Sequence, residues 1–391
     1  KSYLDISKII SAAEITDADA IHPGYGFLAE SEEFAQICRD CGIRFIGPSP
    51  EILTLFGNKI RAKEIAARAG VPVLESSGEL TTLEDAIKFA NSICYPVMLK
   101  SVYGGGGRGI RLAQNDITLA NIFLSAQMEA KNSFKNGALF LEKQIPSAKH
   151  IEVQVLADNY GNYIHLGERD CSIQRRFQKF IEEAPSPVID GQMREIIGEY
   201  ALAIVKMAGL TCAATVEFLF EPHEKKVFFI EVNPRIQVEH PVTEMITGID
   251  IVKEQILITA GEKLSFSQDD IELNGTAIEC RVLAEDPAEN FKPSPGTITK
   301  FFIPGGLGIR CDSACTSGVK ISPYYDSLIA KVITHRNTRL EAISAMKATL
   351  QLTTIEGIRT NINYLLSILN HHAFIKAQMD TNFVENYFTF R

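Results

Sequence analysis

The sequence lacks two features that would mark whole classes of protein: a long apolar run and an excess of positive charge. Apolar residues make up 46% of the 391 residues, but no run approaches the roughly 18 that span a bilayer. The net charge is −9 with both signs interspersed, so the chain carries none of the basic surface by which proteins bind a nucleic-acid backbone. We therefore expect a soluble protein with no membrane or nucleic-acid partner, in which any anion binds at a local site.

The sequence also has few of the cysteine patterns that bind metals. Its eight cysteines are scattered, and the only C-x-x-C motif, Cys38 to Cys41, has no second cysteine or histidine pair to complete a zinc site. We interpret them as ordinary reduced thiols, which are typical of a cytoplasmic protein. We expect no secretory signal, and the chain opens at Lys1 inside a helical pattern, so we expect its start to be missing.

The order of apolar patterns predicts an α/β and α+β chain of several domains. The length favours two or three domains. Helices alternate with short apolar strands up to residue 46, as in a doubly wound parallel sheet, whereas beyond Pro146 the period shifts toward that of antiparallel strands. We predict four parts: a partial amino-terminal α/β domain over 1–46, a helical linker over 47–71, a unit around a glycine loop over 72–144, and an antiparallel core with a carboxyl-terminal domain over 145–391.

A run of glycines lies between two predicted strands, in SVYGGGGRGI (101–110). A Walker A loop or a dinucleotide fingerprint would each need a helix directly after it, so neither is present. Glycine N–H groups can approach oxygens closely, and Arg108 adds positive charge, which favours a lid over phosphates. The alternative is a loose hairpin turn. Lys100 is the cation that we expect to reach a phosphate, with Lys59 as a second candidate.

Two apolar strands that flank EPHEK (221–225) predict a hairpin that carries carboxylates. If Phe220 pairs with Phe228, Glu217 lies opposite Glu231, and the period of two brings Asn233 to the same face. Opposed like charges destabilise a sheet unless a cation lies between them, and such oxygens suit Mg²⁺. We therefore predict a divalent-metal platform. The alternative, a solvated polar face, is disfavoured by the neighbouring apolar residues.

The loop after this hairpin, PRIQVEH (234–240), combines a cation with a carboxylate. Pro234 ends the strand pairing because it lacks an N–H group. Arg235 offers a planar fork for a small oxyanion, and Glu239 can accept a proton beside it. The sequence thus predicts metal ligands, an anion fork and a candidate base in succession.

Taken together, these motifs resemble a biotin carboxylase of the ATP-grasp superfamily. The family's order is followed from Lys1 to about the last helix by HPGYGFLAES, KSVYGGGGRGI, HIEVQVLAD, ERDCSIQRRFQK, EEAPSP, EVNPRIQVEHPVTEMITG, AIECRVLAEDP, PSPGTIT and PYYDSLIAK. The resemblance implies an ATP-grasp fold in which 72–144 is the lid domain. It also implies a ligase that uses ATP, Mg²⁺ (or Mn²⁺) and bicarbonate to carboxylate biotin through carboxyphosphate, in the first half-reaction of a biotin-dependent carboxylase such as the acetyl-CoA carboxylase of fatty acid biosynthesis.

The resemblance further implies partners and residue roles. The partners would be a biotin carboxyl carrier protein, a carboxyltransferase component and a second copy in a homodimer. ATP would be held by Lys59, Lys100, Gly106, Gly107, Glu142, Lys143, Ile145, His150 and Gln174. The metal would be held by Glu217, Glu231 and Asn233, and bicarbonate by Lys179, Arg235, Gln237, Val238 and Glu239. The catalytic residues would be Glu239, Arg235, Lys179 and Arg281. Glu239 would take the bicarbonate proton, Arg281 would stabilise the enolate oxygen of biotin, and Tyr25 would border the biotin site.

The chain departs from the family's pattern at two residues and at its start. Phe177 stands in QRRFQK where the family has His, which removes a polar contact near the ribose, and Tyr103 replaces the first glycine of the loop. The family opens with a strand and a glycine turn, and we expect this part to be missing ahead of Lys1. Two other functions stay open: another ATP-grasp ligase that joins a carboxylate to an amine, and a non-catalytic assembly subunit that binds nucleotide weakly. The final acyl acceptor also stays open among acetyl-CoA, propionyl-CoA and pyruvate.

Overall fold

Helices alternate with two short parallel strands near the amino terminus. The computed structural model describes residues 2–104, 107 and 109–388. A 3-10 turn over Ser2–Leu4 precedes α1 (Ile6–Ile15), β1 (Ala20–Ile21), α2 (Glu32–Asp40) and β2 (Arg44–Phe45). β1 and β2 pair in parallel, as the alternating pattern predicts. The segment HPGYGF follows the carboxyl end of β1, which is where ligands gather in parallel α/β sheets.

Helices and a three-stranded antiparallel sheet follow. The elements are α3 (Pro50–Gly57), α4 (Lys59–Arg68), α5 (Leu83–Ile93), β3 (Val97–Ser101), β4 (Arg111–Ala113), α6 (Asp116–Phe134) and β5 (Leu139–Lys143). The strand order is β4-β3-β5, and α5 and α6 pack on this sheet through a core that includes Leu99 and Phe123. The glycine loop, residues 102–110, connects β3 to β4 as predicted. Its residues Gly105, Gly106 and Arg108 lie outside the described residues.

An eight-stranded antiparallel sheet forms the centre of the chain. Five of its strands are β6 (Lys149–Ala157), β7 (Tyr163–Arg175), β8 (Gln178–Ala184), β9 (Cys212–Glu221) and β10 (Lys226–Asn233). The accompanying helices are α7 (Gly191–Ala208), α8 (His240–Thr247) and α9 (Ile251–Ala260). The antiparallel strands predicted beyond Pro146 are therefore confirmed.

The carboxyl-terminal part contributes the other three strands. Its elements are β11 (Thr276–Leu283), β12 (Glu285–Asp286), β13 (Lys292–Pro293), β14 (Gly296–Thr297), β15 (Lys300–Phe302), β16 (Ile309–Asp312), β17 (Lys320–Ile321), β18 (Leu328–Arg336), α10 (Arg339–Leu352), β19 (Thr354–Glu356), α11 (Ile362–Asn370), α12 (His372–Ile375) and α13 (Phe383–Tyr387), with 3-10 turns over Gln268–Asp270 and Pro287–Glu289. The order of the large sheet is β10-β9-β6-β7-β8-β11-β18-β16. Among the described helices, none combines the length and apolar composition that crossing a bilayer requires.

The large sheet separates an apolar face from a polar one. Along β6 and β9, apolar residues such as Val153 and Val216 pack in a core with α4 and α7. Successive side chains of a strand point to opposite faces, so the residues between them share the other face. Those residues are polar and yet buried: Glu152, Gln154, Thr215 and Glu217. Polar groups on a buried face must find partners there, and this face holds the site described below.

A bulge in the hairpin of β9 and β10 decides where its carboxylates lie. Val227, rather than Phe228, pairs with Phe220, so the assumed register is wrong by one residue. The register then shifts just before Glu231, and beyond the shift this residue lies opposite Glu217. A bulge inserts one extra residue into one strand, which accounts for the change. The predicted carboxylate pair is therefore correct although the pairing from which it was reached is not.

Candidate active site

Glu217 is the centre of the polar face of the sheet. Its Oε1 accepts hydrogen bonds from Asn233 Nδ2 at 2.9 Å and from Gln237 Nε2 at 2.8 Å, and its Oε2 lies 2.7 Å from His150 Nε2. Burial opposes the charge of this carboxylate, but Lys179, His150 and the hydrogen bonds from His150 and Gln237 together outweigh it, and the pKa of Glu217 lies below its ordinary value. Glu217 therefore remains a carboxylate that several donors hold in place.

Lys179 joins three carboxylates from different strands and from a loop. Its Nζ lies 2.6 Å from Glu152 Oε2, 2.6 Å from Glu239 Oε1 and 3.4 Å from Glu217 Oε1. Burial disfavours the ammonium charge, but these carboxylates raise the pKa of Lys179 well above its ordinary value. The buried Gln174, predicted for ATP, is the cross-strand partner of Lys179 on β7. The two predictions for Lys179 and Glu239 thus concern side chains in direct contact.

Glu239 precedes α8 and has a cation on each side. Its Oε1 accepts from Lys179, and its Oε2 lies 2.9 Å from Arg281 Nη2. Burial raises the pKa of Glu239, but the charges of Lys179 and Arg281 lower it further, so that the pKa lies well below its ordinary value. Nε of Arg281 lies 2.5 Å from Glu182 Oε1. Three of the four predicted catalytic residues, Lys179, Glu239 and Arg281, therefore form one chain of ion pairs.

The fourth, Arg235, lies on the anion loop, which we define as residues 234–239. It donates from Nη2 to Asn233 Oδ1 at 3.0 Å and from Nε to Glu30 Oε1 at 3.0 Å. Its guanidinium group therefore contacts both Asn233 of the hairpin and Glu30, a carboxylate from the amino-terminal part. On the same loop, the carbonyl of Val238 accepts from Lys331 Nζ at 2.9 Å. Arg235 is thus joined to the Glu217 cluster through Asn233.

Lys59 is paired with a carboxylate of the hairpin. The side chain of Asn58 accepts from the N–H groups of Ile60 and Arg61, which begins α4 at Lys59. Nζ of Lys59 contacts Oε2 of Glu231. The solvated state that is usual for a helix lysine does not apply here, because α4 packs against the sheet that carries Glu231. Both residues were predicted, one for ATP and one for the metal.

Lys100 belongs to a buried triad with an excess positive charge. Its Nζ contacts Glu142 Oε2, while Nζ of Lys63 contacts Glu142 Oε1. Burial raises the pKa of Glu142, but the charges of Lys100 and then Lys63 lower it below its ordinary value. Two ammonium groups against one carboxylate leave a local charge of about +1, which suits a phosphate. Sequence analysis missed Lys63, whose burial depends on how α4 packs under β5.

Three other residues predicted for ATP have varied surroundings. Lys143 donates to the carbonyl of Cys94 at 2.7 Å, so its ammonium group is engaged beside α5. Ile145 is half-buried and follows β5. Gly106 lies outside the described residues.

The turn between β7 and β8 lies against the glycine loop. Gly107 has a φ of +74°, and a Cβ placed on it would lie 2.3 Å from Cβ of Phe177, so that only glycine fits. The turn residues Arg176 and Phe177 have φ values of 49° and 67°, which side-chain-bearing residues rarely adopt. Phe177, which stands where the resemblance led us to expect His, therefore lies where the glycine loop contacts the turn between β7 and β8.

Tyr25 and Arg281, the residues predicted to border biotin, meet through Lys331. Lys331 is the cross-strand partner of Arg281, and its Nζ lies 5.8 Å from the centre of the Tyr25 ring. The pKa of Tyr25 is raised, first by burial and then by the charge of Glu279. One corner of the polar face therefore holds both predicted biotin residues.

Sequence analysis missed a second layer of charged residues beneath this site. Glu152, Arg169, Glu182 and Glu279 are all fully buried. The available signal was a charge inside an apolar strand pattern, such as Glu152 in HIEVQV (150–155) and Glu279 in AIECRV (277–282). Such charges are rarely buried without partners, so each of them pointed to a contact that sequence alone could not identify.

Three family models match the chain. Residues 1–53 match the biotin carboxylase N-terminal domain, residues 58–267 the ATP-binding domain of the carbamoyl-phosphate synthase L chain, and residues 279–386 the biotin carboxylase C-terminal domain. The chain belongs to the biotin carboxylase family. Biotin carboxylases are ATP-dependent ligases with the ATP-grasp fold, so the predicted family, fold class and enzyme class are confirmed.

Biotin carboxylases from several sources resemble the chain over nearly its whole length. It is 50% identical to biotin carboxylase 1 of Bacillus subtilis, over 99% of this chain and 86% of that protein. It is 49% identical to the small subunit of 2-oxoglutarate carboxylase of Hydrogenobacter thermophilus, over 99% of this chain and 82% of that protein. A crystal structure of the biotin carboxylase domain dimer of the latter enzyme, in complex with MgADP, ADP and bicarbonate, matches with a TM-score of 0.97 at 48% identity, covering 99% of this chain and 85% of that chain.

Proposed function

We propose that this chain uses MgATP and bicarbonate to carboxylate biotin on a carrier protein, through carboxyphosphate. The observation that carries the proposal is a continuous line of contacts from the buried Glu217 through the half-buried Lys179 and the buried Glu239 to the half-buried Arg281. It joins residues that we assign to the metal, to bicarbonate and to biotin. The relative solved with MgADP and bicarbonate supports the same ligand classes here.

The nucleotide occupies the side of the cluster that faces the three-stranded sheet. We assign it to Lys59, Lys100, Gly106, Gly107, Glu142, Lys143, Ile145, His150 and Gln174. The triad of Lys100, Glu142 and Lys63 offers the phosphates a fixed positive charge. Phosphoryl transfer is accelerated mainly by positioning and by such charges, so Lys100 stabilises the transferred phosphoryl group.

Glu217, Glu231 and Asn233 are the residues that we assign to magnesium. Two opposed carboxylates and an amide oxygen form a hard donor set that fits this ion. A second cluster, His150, Glu152 and Glu217, brings ligand atoms within 4.8 Å of one another. Glu152 accepts from Arg169 and Lys179, and Glu231 accepts from Lys59, so these contacts do not separate the two sets, and the resemblance to biotin carboxylases favours the first. When bound, magnesium supplies positive charge to the phosphate oxygens.

Glu239 acts as the base that takes the bicarbonate proton. Lys179, Arg235, Gln237 and Val238 hold bicarbonate beside it in this proposal. Lys179 and Arg281 keep Glu239 ionised but also lower its proton affinity. Each donor that turns from Glu239 to bicarbonate restores that affinity, so the base strengthens as the substrate binds. The proton passes to Glu239, an oxygen of the dianion bonds to the γ-phosphorus, and ADP leaves with the electrons of the broken P–O bond.

Arg281 and Tyr25 serve the biotin step. Carboxyphosphate breaks down to CO₂ and phosphate, and the phosphate takes the proton from N1 of biotin. N–H groups of Arg281 then stabilise the enolate oxygen while N1 bonds to CO₂. The glycine loop excludes water, which would otherwise hydrolyse carboxyphosphate.

The proposal extends to partners and organisation. A biotin carboxyl carrier protein and a carboxyltransferase component are the partners, and the chain forms a homodimer in the cytoplasm. An acetyl-CoA carboxylase system of fatty acid biosynthesis is the example that we propose for the second half-reaction. Biotin carboxylase 1 of Bacillus subtilis and the small subunit of 2-oxoglutarate carboxylase are similar to the chain to nearly the same degree, so these similarities do not identify the final acceptor. The four-part division at residues 1–46, 47–71, 72–144 and 145–391 belongs to the same proposal.

ADP release measured with and without bicarbonate and free biotin tests this function. We expect release from MgATP to require bicarbonate and to rise further with biotin. Release that depends on an amine and a carboxylate substrate instead would identify another ATP-grasp ligase. Nucleotide binding without release under any of these conditions would identify a non-catalytic subunit and overturn the proposal.

A further inference from the structure

We propose that Arg169, which contacts no assigned substrate group, is a positioning residue that fixes the side-chain amide of Gln237 for bicarbonate. This inference rests on the proposed function, since Gln237 is a bicarbonate residue only if that function holds. Arg169 lies in the middle of β7 and is fully buried. Its guanidinium group is therefore held entirely by protein contacts.

The guanidinium group has five N–H groups, and five acceptors surround it. Nε lies 2.5 Å from Glu152 Oε1, Nη1 lies 2.9 Å from Gln154 Oε1 and 3.0 Å from Thr243 Oγ1, and Nη2 lies 3.1 Å from Thr215 Oγ1 and 3.0 Å from Gln237 Oε1. The acceptors come from β6, β9, the anion loop and α8. One side chain thus ties the anion loop to the sheet.

The contacts of Gln237 leave its amide only one orientation. Its Oε1 accepts from Arg169 at 3.0 Å, and its Nε2 donates to Glu217 Oε1 at 2.8 Å. A guanidinium group can only donate and an ionised carboxylate can only accept, so a flipped amide would lose both bonds. These two bonds also fix the direction of the second N–H of Nε2 before any anion binds. A donor that is already aimed loses little freedom when bicarbonate arrives.

Arg169 also acts on the other side of the site. Glu152 uses one carboxylate oxygen for Arg169 and the other for Lys179, at 2.6 Å from Nζ. Lys179 in turn contacts Glu239. The geometry therefore connects Arg169 to both bicarbonate donors, through Gln237 directly and through Glu152 to Lys179.

A lysine would keep the buried charge of Arg169 but lose the fork. Its three donors on a flexible stem cannot meet five acceptors in a planar array. We expect Arg169→Lys to raise the KM for bicarbonate at least about tenfold, because misplaced groups near the reacting atoms have large effects. The KM for MgATP should change less than about threefold. The matched control is Arg194→Lys, which breaks the paired contacts of Arg194 with Glu168 next to Arg169 in sequence. Both KM values should stay within about twofold in this control.

A double-variant comparison separates positioning from general packing. In a Gln237→Ala background, Arg169→Lys should raise the KM for bicarbonate by less than about threefold, because its main target is gone. Arg194→Lys should have the same small effect in both backgrounds. An equal tenfold effect of Arg169→Lys with and without Gln237, or an equal rise in the KM for MgATP, would overturn the proposal that Arg169 acts by positioning Gln237.

A measurement on the wild-type protein keeps the inference testable if Arg169→Lys does not fold. In protein labelled with ¹⁵N-glutamine, the Gln237 side-chain signals are assigned by their loss in Gln237→Ala. We expect them to exchange with water far more slowly than those of the exposed Gln351 and to shift when bicarbonate is added. Equally fast exchange would overturn the locked amide. Slow exchange without a bicarbonate shift, together with no bicarbonate-dependent ADP release, would reject the proposed function and leave the Arg169 contact intact.

Discussion

Lys179 and Glu239 form an ion pair in which Nζ lies 2.6 Å from Oε1. This pair has two opposite effects on the proposed base. It keeps Glu239 ionised at neutral pH, and it lowers the affinity of Glu239 for a proton. Bicarbonate carries negative charge and would attract the same ammonium group. Glu239 and bicarbonate therefore compete for the ammonium group of Lys179. When Lys179 turns toward bicarbonate, its effect on Glu239 weakens, and the proton affinity of Glu239 rises.

Replacing Glu239 with glutamine should abolish turnover and spare nucleotide binding. The amide cannot accept the bicarbonate proton, and general bases contribute about 10²- to 10⁴-fold to a rate. We expect bicarbonate-dependent ADP release to fall at least about 100-fold, while the Kd for MgADP by calorimetry stays within about threefold. Glu244→Gln is the control, since Glu244 is a nearby carboxylate on α8 that pairs with Arg310. Unchanged turnover in Glu239→Gln would refute the base assignment.

Replacing Arg281 with alanine should separate the two half-steps. Arg281 is assigned to the enolate oxygen of biotin, and one such donor is worth about 10²- to 10³-fold. Carboxylation of free biotin should therefore fall at least about 100-fold. Bicarbonate-dependent ATP cleavage should fall less than about tenfold, because Lys179 remains beside Glu239. Arg310→Ala serves as the control, since Arg310 pairs with Glu244 and Asp312 and not with a residue assigned to a ligand. Equal losses of both activities in Arg281→Ala would argue against the enolate role.

Replacing Phe177 with histidine should strengthen nucleotide binding. Phe177 is 41% exposed and lies against Gly107, so the smaller, polar imidazole ring of histidine has room at the turn. A new hydrogen bond near the ribose would be worth about 0.5–1.5 kcal/mol, which lowers the KM for MgATP about 2- to 10-fold. Phe302→His is the control, because Phe302 is a similarly exposed phenylalanine on β15. A KM that stays constant or rises in Phe177→His would show that the family's polar contact is not needed here.

The elements that carry the site could be predicted because their patterns are local. Strands that flank EPHEK predict a hairpin, and a period of two places Glu231 and Asn233 on one face. The exact register could not be predicted, since the bulge before Glu231 lies where the edge strand β10, besides pairing with β9, bridges through Phe229 to Val73, far away in the sequence. The carboxylate pair was predicted correctly because the starting pair was wrong by one residue and the bulge shifts the register by one residue in the compensating direction.

The buried charges beneath the site could not be predicted because their partners are far apart in the sequence. Arg169 contacts residues from position 152 to position 243, and each contact exists only after the sheet has formed. In the sequence, Lys63 is likewise one lysine of an ordinary amphipathic helix, and its contact with Glu142 of β5 exists only in the folded chain. A charge within an apolar strand shows that some partner exists, but only tertiary structure identifies which one.

Glu279 should make the fold less stable at alkaline pH. Both of its carboxylate oxygens lack a hydrogen-bond partner among the described residues, and it lies opposite Glu182 on β8. Burial raises the pKa of Glu279 well above its ordinary value, and burial raises that of Glu182 to about 7. The charged groups that face Glu279 are Glu182, Lys331, Arg281 and Glu239. The cluster therefore favours a protonated Glu279.

The sign of the pH effect follows from this shift. A carboxyl group whose pKa is higher in the folded state contributes stability that is fully present below its unfolded pKa of about 4.3 and is lost as the pH rises through the folded value. Glutamine has no proton to lose, so Glu279→Gln should avoid that loss. We expect its melting temperature to exceed that of the wild type by about 2–4 °C at pH 8.5, with the difference closing toward pH 5. Glu84→Gln on the exposed face of α5 should show no such trend. A difference that stays constant with pH, or that grows as the pH falls, would mean that Glu279 is ionised in the folded protein.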